Sequence, residues 1–259
     1  IPMLKKLIFF AGVLVLSLEA APRDPFKQID DLLPTPDQQR RASGAPGPGY
    51  WQQQVDYLID VELDEVNHRI TGSEKITYHN NSKDTLDYLW MQLDQNLYNP
   101  KMIAAQSRTT SGISGLSFNA FEGLLQAQEF DGGYKITAVK DASGKPLKHV
   151  IVQTMMRIIP PSPVKPGQKI TFSVDWNFNI VDATKMRSRM GYEYFKEDKN
   201  HLYALAQWFP RMCAYTDVNG WQNKQYLGSG EFALEFGDYL VRITVPADHI
   251  VASTGELQN

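Results

Sequence analysis

The sequence predicts a mainly β fold with antiparallel or mixed sheets, sandwich-like in its layering, preceded by a signal peptide and a linker rich in proline and glycine. Three observations support this fold class. Apolar and polar residues alternate in several segments, turn signals recur at short intervals, and no helical period exceeds two turns beyond the N-terminal apolar run. The 259 residues are 42% hydrophobic and 21% charged, so the chain has a globular composition and can form an ample core.

The N-terminus has the pattern of a secretory signal. Two lysines precede an apolar run over residues 7–18, and the small residues Ala20 and Ala21 follow. The run is shorter than the roughly twenty apolar residues that span a bilayer, and this order of features is typical of a cleaved signal. We therefore predict a signal peptide over residues 1–21 and an exported protein, periplasmic or extracellular, with no permanent membrane span after cleavage. An apolar helix of the fold or a permanent anchor is the alternative.

Residues 22–50 are predicted to be a linker or an extended arm. They contain six prolines and three glycines. Proline lacks a backbone donor and glycine is flexible, so such a segment rarely forms regular structure. The folded domain is therefore expected over residues 51–259.

The folded part contains a series of predicted strands joined by turns. Asn67 and His68 are expected to turn the chain between the first two strands, and the polar residues 182–200 are expected to form a long loop or flap. Alternation predicts strands over residues 55–63, 70–79, 86–90, 134–140, 149–155, 170–180 and 239–245.

Composition excludes several classes of function. The net charge is −3 and no long basic run occurs, which argues against nucleic acid as the main partner. Cys213 is the only cysteine, so no intrachain disulfide can form, and its side chain is expected to be a small buried group. The acidic residues Asp217, Glu231 and Glu235 are interpreted as solvated surface groups.

The sequence contains no local catalytic motif. A helical zinc site needs two histidines one turn apart with a glutamate beside the first, yet none of the five histidines is followed by glutamate. The nearest two histidines are eleven residues apart, and no Gly-x-Ser-x-Gly or phosphate-binding loop occurs. No catalytic residue, metal ligand or cofactor is therefore assigned to this chain. A site assembled from distant residues stays open.

The C-terminal part carries the most specific pattern. Gln207-Trp208-Phe209-Pro210 is followed by Gly220-Trp221, by the strand at residues 239–245 and by Thr254-Gly255-Glu256-Leu257. With the earlier strands, this order resembles the N-terminal, saddle-like β-domain of the aminopeptidase N family of zinc metallopeptidases (gluzincins), in particular its exported bacterial branch. The resemblance covers roughly residues 50–259.

The resemblance implies a division of work between domains. In that family the β-domain precedes a helical catalytic domain that carries Gly-x-Met-Glu-Asn and His-Glu-x-x-His, and neither motif occurs here. The chain alone is therefore expected to be inactive and to bind no stoichiometric zinc. The catalytic domain is the expected partner, and zinc and peptide substrate belong to the full-length enzyme.

One residue role follows from the same resemblance. A strand of the family's β-domain supplies glutamine or glutamate to the pocket for the substrate's first side chain, in a Gln-x-Glu/Gln pattern. Gln207 matches the second position of that pattern, whereas Leu205 departs from it at the first. The alternative for Gln207 is a strand-end amide that satisfies backbone groups.

A secreted, non-catalytic β-sandwich module that binds glycan or protein is the competing interpretation. Trp51, Trp208 and Trp221 would then form an exposed stacking surface, although they could equally be core or interface residues. If the chain is instead the front part of a larger enzyme, we expect an uncovered apolar surface along residues 207–215 and along the last strand up to Leu257.

Overall fold

The computed structural model describes residues 36–102, 118, 129–186, 188–228, 230 and 233–258. The chain divides into two units, one ending at Tyr50 and one beginning at Trp51. The predicted signal peptide and the linker up to residue 35 lie outside the described residues. The assignment of residues 1–21, 22–50 and 51–259 to three segments therefore stays a prediction.

The described part of the first unit is a compact turn. The Asp37 carboxylate accepts hydrogen bonds from the backbone N–H groups of Gln39 and Arg40, at 2.6 and 2.9 Å. The Arg40 guanidinium lies 5.5 Å from the centre of the Tyr50 ring, within range of a cation–π contact.

The regular structure of the second unit is mainly β-strand. Its described residues form thirteen strands and one short 3-10 helix, Asp94–Tyr98. The strands are β1 (Gln54–Asp64), β2 (Arg69–His79), β3 (Leu89–Gln92), β4 (Lys135–Asp141), β5 (Lys148–Val152), β6 (Met155–Ile159), β7 (Lys169–Asn179), β8 (Gly191–Phe195), β9 (Asn200–Ala204), β10 (Arg211–Met212), β11 (Tyr215–Thr216), β12 (Gly220–Trp221) and β13 (Tyr239–Thr244).

Two open sheets carry the architecture. The larger has the order β13-β1-β2-β7-β4, and the smaller has the order β10-β3-β6-β5. All pairings are antiparallel except that of β13 with β1, which is parallel. The hairpins β8–β9 and β11–β12 form two further two-stranded sheets. The predicted mainly β fold with mixed and antiparallel sheets is confirmed.

The core lies between the two main sheets. The apolar residues of β1 and β7 alternate with polar ones, and one apolar face of each strand is buried. Leu89, Met91, Met156 and Ile158 of the smaller sheet belong to the same buried cluster. Because a sheet with one apolar face must cover it, this alternation is what brings the second sheet onto the first.

A single glycine shapes the middle of the core. Gly72 on β2 pairs with Trp176 on β7, and a Cβ atom on Gly72 would lie 2.3 to 2.6 Å from three atoms of the indole. Trp176 is fully buried and stacks on Phe178 at a centroid distance of 5.9 Å. Gly72 therefore provides the space that the indole occupies.

The structure corrects three predicted elements. Residues 149–155 do not form one strand, because the chain turns at Gln153, which has a φ of +56°, so that β5 ends and β6 begins. Residues 182–200 are not only a loop: they contain all of β8. Most of the β8–β9 hairpin is solvent-exposed, so it lacks the apolar alternation that identifies a half-buried strand. The strand predicted at residue 86 begins at Leu89.

Both main sheets have an exposed edge strand. β13 ends the larger sheet, and five of its six residues are exposed. β5 ends the smaller sheet, and all of its residues are exposed. Among the described residues, none of the helical segments combines the length and apolar character needed to span a membrane.

Candidate functional site

A cavity of the second unit lies where β1 and β13 end. Its volume is about 610 Å³. Its apolar wall includes Val61, Leu63 and Trp208, and its polar wall comes from the β1–β2 turn, from β9 and from residues 248–254. The parallel pairing of β13 with β1 sends the chain after β13 over the end of β1, and so closes one side of the cavity.

Three of the five histidines meet beside this cavity. His68 comes from the β1–β2 turn, His201 from β9, and His249 from the segment after β13. The rings of His68 and His201 lie 5.0 Å apart, and the Tyr203 ring lies 5.9 Å from that of His249. The Tyr203 hydroxyl and Nδ1 of His68 are 2.8 Å apart and share a hydrogen bond.

Two carboxylates lie among these histidines. Oε1 of Glu65 is 3.1 Å from Nδ1 of His201, and Oδ1 of Asp248 is 3.2 Å from Nδ1 of His249. One ligand atom from each of Glu65, Asp248 and His249 lies within 4.8 Å of the other two. The cluster therefore combines imidazole and carboxylate groups from three segments that are distant in the sequence.

The β1–β2 turn places two members of this cluster. Asp64 holds the turn because its carboxylate accepts hydrogen bonds from the backbone N–H of Asn67 at 3.0 Å and from its side-chain amide at 2.7 Å. These two bonds lower the pKa of Asp64. His68 then adopts a φ of +48°, a left-handed conformation that returns the chain into β2. Glu65 and His68 thus project from one tight turn.

The surroundings of His68 disfavour its charged form. Its ring stacks on Tyr192 at a centroid distance of 3.8 Å. Burial lowers the pKa of His68, and the nearby His201 lowers it further, because a second positive charge would be repelled. By contrast, partial burial raises the pKa of the Tyr203 hydroxyl. His68 and Tyr203 therefore form a neutral hydrogen-bonded pair at physiological pH.

Gln207 lies outside the lining of this cavity, between two residues that do line it. It is not on a strand: β9 ends at Ala204, and Gln207 sits at a bend with a φ of +53°. Its carbonyl accepts hydrogen bonds from Nε2 of Gln95 at 3.1 Å and from the Tyr134 hydroxyl at 3.2 Å. Its side-chain amide bonds to none of the described residues. Its assignment to substrate binding stays a prediction.

Three buried or half-buried charged residues, Arg211, Asp94 and Glu74, lie outside the cavity lining. Arg211 forms an ion pair with Asp94. Burial raises the pKa of Asp94, and the positive charge of Arg211 opposes that rise. Glu74 is 1% exposed, and its carboxyl group has no hydrogen-bond partner among the described residues. Burial raises its pKa well above the usual range, so Glu74 is a neutral acid at pH 7.

The three tryptophans do not form a common platform. Trp208 contacts Trp176 at a centroid distance of 6.2 Å, whereas Trp51 and Trp221 lie 6.0 and 5.1 Å from Tyr215. All three are half-buried, and Trp208 and Trp221 pack against the core. Trp51 and Trp221 thus share the Tyr215 ring, whereas Trp208 packs on Trp176, and the binding-module interpretation stays an alternative.

Two further sequence predictions have distinct outcomes. Cys213 is fully buried, as predicted, and burial raises its pKa, so it is no nucleophile. Glu235 is not a freely solvated group: it accepts a hydrogen bond from the backbone N–H of Tyr215 at 2.7 Å. Burial raises the pKa of Glu235 to about 7. Glu231 lies outside the described residues.

The histidine and carboxylate cluster was not predicted from the sequence. Its members come from three stretches of the chain, residues 65–68, residue 201 and residues 248–249, and neighbouring stretches are at least 47 positions apart. Only the pairing of β13 with β1 and the position of the β8–β9 hairpin bring them together.

Comparisons with known proteins give structural similarities only. No protein-family model matches the chain, and neither does any curated protein. A mutant of a two-domain M1 zinc metallopeptidase bound to L-tryptophan is 12% identical over 83% of this chain and 39% of its own, with a TM-score of 0.38. An M1 zinc metallopeptidase mutant from Deinococcus radiodurans, bound to a Tyr-Ser-Ala substrate, is 11% identical over 80% of this chain and 37% of its own, with a TM-score of 0.38.

A further similar structure is the M1 zinc metallopeptidase of Deinococcus radiodurans, which is 12% identical over 82% of this chain and 38% of its own, with a TM-score of 0.36. The chain thus spans less than two fifths of the length of the solved structures that it matches.

Proposed function

We propose that this chain is the non-catalytic β-domain of an exported, aminopeptidase-like zinc metallopeptidase, which removes N-terminal residues from peptides. In this proposal the domain supports a separate catalytic domain and shapes one side of the substrate pocket. The chemistry and the peptidase zinc belong to that catalytic domain. Export rests on the signal pattern in residues 1–21, and the family rests on the resemblance at residues 207–210 and 239–257.

The observation that carries the proposal is an exposed apolar surface along the C-terminal segment. We call it the β13 surface, and it comprises Phe236, Leu240, Ile250 and Leu257. These side chains are 76%, 51%, 97% and 86% exposed. Single exposed apolar residues are common, but several large ones along one segment are typical of a surface that a partner covers.

The backbone of β13 also favours a covered surface. Among the described residues β13 pairs only with β1, and no strand there pairs with its other edge. Exposed edges of this kind invite further pairing, and proteins usually protect them with charge, proline or a neighbouring element. Arg242 provides one charge on this strand, but its guanidinium is paired with Asp60 on β1 at 2.9 Å.

The first part of the predicted uncovered surface, residues 207–215, is not exposed in the structure. Residues 207–215 were expected to be uncovered as well, yet each of them is half-buried or buried. The reason is that Met212 and Cys213 pack inside the smaller sheet, while Trp208 and Phe209 contact the core. The proposed docking surface is therefore the β13 surface alone.

Gln207 is the residue that we propose for substrate contact. Its backbone is fixed by Gln95 and Tyr134, while its half-buried amide bonds to none of the described residues. The side-chain amide can therefore offer a hydrogen-bond donor and an acceptor to a bound peptide.

The proposal is tested by expressing the 259-residue chain alone and together with the coding sequence that follows it in the gene. We expect the chain alone to hydrolyse no aminoacyl amide and to self-associate in light scattering. We expect the following sequence to encode His-Glu-x-x-His, to bind the chain and to yield aminopeptidase activity. The double variant Phe236→Ser/Leu240→Ser should weaken that association, whereas the matched control Val150→Ser/Val152→Ser on the exposed edge strand β5 should not.

Two results would overturn the proposal. One is a stop codon directly after residue 259, combined with a stable, monodisperse monomer. The other is an associated partner whose binding is unaffected by changes to the β13 surface. Gln207→Ala should raise KM for the peptide without abolishing activity, and an unchanged KM would remove Gln207 from the proposal.

A further inference from the structure

We propose that Glu65, Asp248 and His249 form a binding site for a divalent transition-metal ion of the zinc class. This site is built from the β1–β2 turn and from the segment after β13, and it contains no helical zinc motif. It is independent of the proposed function, because it would be present whether or not the chain belongs to a peptidase.

The first argument is the spacing of the ligand atoms. Zinc bonds to nitrogen and oxygen are about 2.0–2.2 Å long, so neighbouring ligand atoms of a tetrahedral site lie roughly 3.3 Å apart. Asp248 and His249 already show this spacing, at 3.2 Å. All three ligand atoms lie within 4.8 Å of one another, about 1.5 Å more than this spacing at most.

The second argument is an imidazole nitrogen without a hydrogen-bond partner. Nε2 of His249 is buried and bonds to none of the described residues, although the ring as a whole is half-buried. Buried polar atoms are nearly always paired, so an unpaired imidazole nitrogen is uncommon. Nδ1, which faces Asp248 at 3.2 Å, is the nitrogen that would coordinate the ion, and no described residue hydrogen-bonds the ring at Nε2.

The third argument is the support around Glu65. Nδ1 of His201 lies 3.1 Å from its carboxylate, and the Tyr203 hydroxyl lies 3.5 Å from its backbone carbonyl. We assign His201 as a positioning residue, because ligating carboxylates are commonly held by hydrogen bonds from outside the ligand set. The neutral pair of His68 and Tyr203 closes this side of the site.

The ligand chemistry selects the class of ion. One imidazole and two carboxylates form a mixed nitrogen and oxygen set, which suits zinc and its first-row neighbours better than magnesium or calcium. All three ligands also line the cavity of about 610 Å³, so an ion has a path to the site and an open coordination position.

A bound ion would link three segments of the chain. It would tie the β1–β2 turn, through Glu65, to residues 248–249 after β13, and through His201 to the β8–β9 hairpin. We therefore expect the segment after β13 to become more resistant to proteolysis when the metal is bound. From the sequence alone no zinc binding is expected, because no local zinc motif occurs. The absence of a local motif does not exclude a site formed by residues that are distant in the sequence.

The experiment is a zinc titration of the untagged 259-residue chain after treatment with a chelator, followed by calorimetry or by competition with a chromophoric chelator. We expect one zinc per chain with micromolar affinity, and no comparable binding of magnesium. Glu65→Gln and Asp248→Asn should each weaken zinc binding at least about 10-fold, the lower range for changes around metal ligands. His201→Asn should have a smaller effect and should leave the stoichiometry at one.

The matched control is His79→Asn. His79 also pairs with a carboxylate, that of Asp56, at 2.8 Å. It lies at the end of β2 that is far from the β1–β2 turn, and its ion pair involves one carboxylate only. Its removal should leave zinc affinity unchanged. Absence of stoichiometric binding, or binding that survives both Glu65→Gln and Asp248→Asn, would overturn the proposal. Asp248 is largely exposed, so its variant is expected to fold even where Glu65→Gln does not.

Discussion

Replacing Gly72 with alanine tests the packing at the centre of the larger sheet. The added Cβ would lie 2.3 Å from Cζ2 of Trp176 and 2.6 Å from both Cε2 and Cη2. Real Cβ atoms almost never lie within 3.0 Å of another heavy atom, so either the indole or the β2 backbone must move. The indole has little freedom, because Tyr134 and Phe178 pack against it at centroid distances of 5.6 and 5.9 Å.

The magnitude follows from the cost of overpacking a dense core. Inserting one methyl group into such a core usually costs about 1–3 kcal/mol. The contact here involves three ring atoms of a fully buried tryptophan, so we place Gly72→Ala near the upper end, at about 3 kcal/mol. The lower flexibility of alanine in the unfolded chain would return less than about 1 kcal/mol of this.

The assay is urea unfolding of the 259-residue chain, followed by tryptophan fluorescence. Thr71→Ala is the control, since Thr71 is the neighbouring residue on the exposed face of β2 and should change the free energy of unfolding by less than about 0.5 kcal/mol. In a Trp176→Phe background, where the ring is smaller, Gly72→Ala should cost distinctly less. An equal cost in both backgrounds would refute the steric explanation.

Three further changes follow from the same structure. The free energy of unfolding should fall as the pH rises from about 4.5 to about 7, because burial raises the pKa of Glu235 to about 7 and the folded state binds this proton more tightly. The loss should be about 1–2 kcal/mol after solvent screening. Glu235→Gln should flatten this fall, and an identical pH profile in the variant would contradict the explanation. Glu74→Gln should change the free energy of unfolding at pH 7 by less than about 1 kcal/mol, because burial keeps the acid neutral, and chemical denaturation showing a large loss would indicate an ionised, paired Glu74. Gly237→Ala should cost at least about 2 kcal/mol in urea unfolding, because its Cβ would lie 1.7 Å from the Val55 carbonyl oxygen, and a neutral effect would show that β1 can yield there.

The regular strands were predictable because they obey a local rule. Residues 170–180 alternate strictly between apolar and polar, residues 55–63 do so at every position except Leu58, and both form long strands, β7 and β1. In a half-buried strand the buried residues are apolar and the exposed ones polar, so the alternation identifies the strand without knowledge of its partner or of the rest of the fold. The turn at His68 was predictable for a similar reason, since Asn67 and Asp64 form the local hydrogen bonds of the turn.

The elements that were not predicted depend on other parts of the chain. The β8–β9 hairpin is mostly exposed, and it is held by its own pairing and by the contacts of Tyr192 and His201 with the β1–β2 turn. The parallel pairing of β13 with β1 joins residues about 180 positions apart, and no local pattern specifies which edge a strand joins.

The same distinction explains the candidate site. Glu65, His201 and His249 each look ordinary in their local sequence, and no motif of fixed spacing links them. Their meeting depends on one topological fact, the placement of β13 beside β1, which carries Asp248 and His249 to the end of the neighbouring strand.

The β13 surface and the metal site make separable demands on the C-terminal segment. The metal site needs Asp248 and His249 to stay near Glu65 in the chain by itself, whereas the docking proposal needs Phe236 and Leu240 to be covered only when a partner is present. Zinc binding in the isolated chain without association would support the first and leave the second to the co-expression experiment. Association that survives chelation would show that the partner recognises the apolar strand rather than the ion. The two properties are therefore distinguishable in one preparation, because one responds to chelator and the other to changes in apolar side chains.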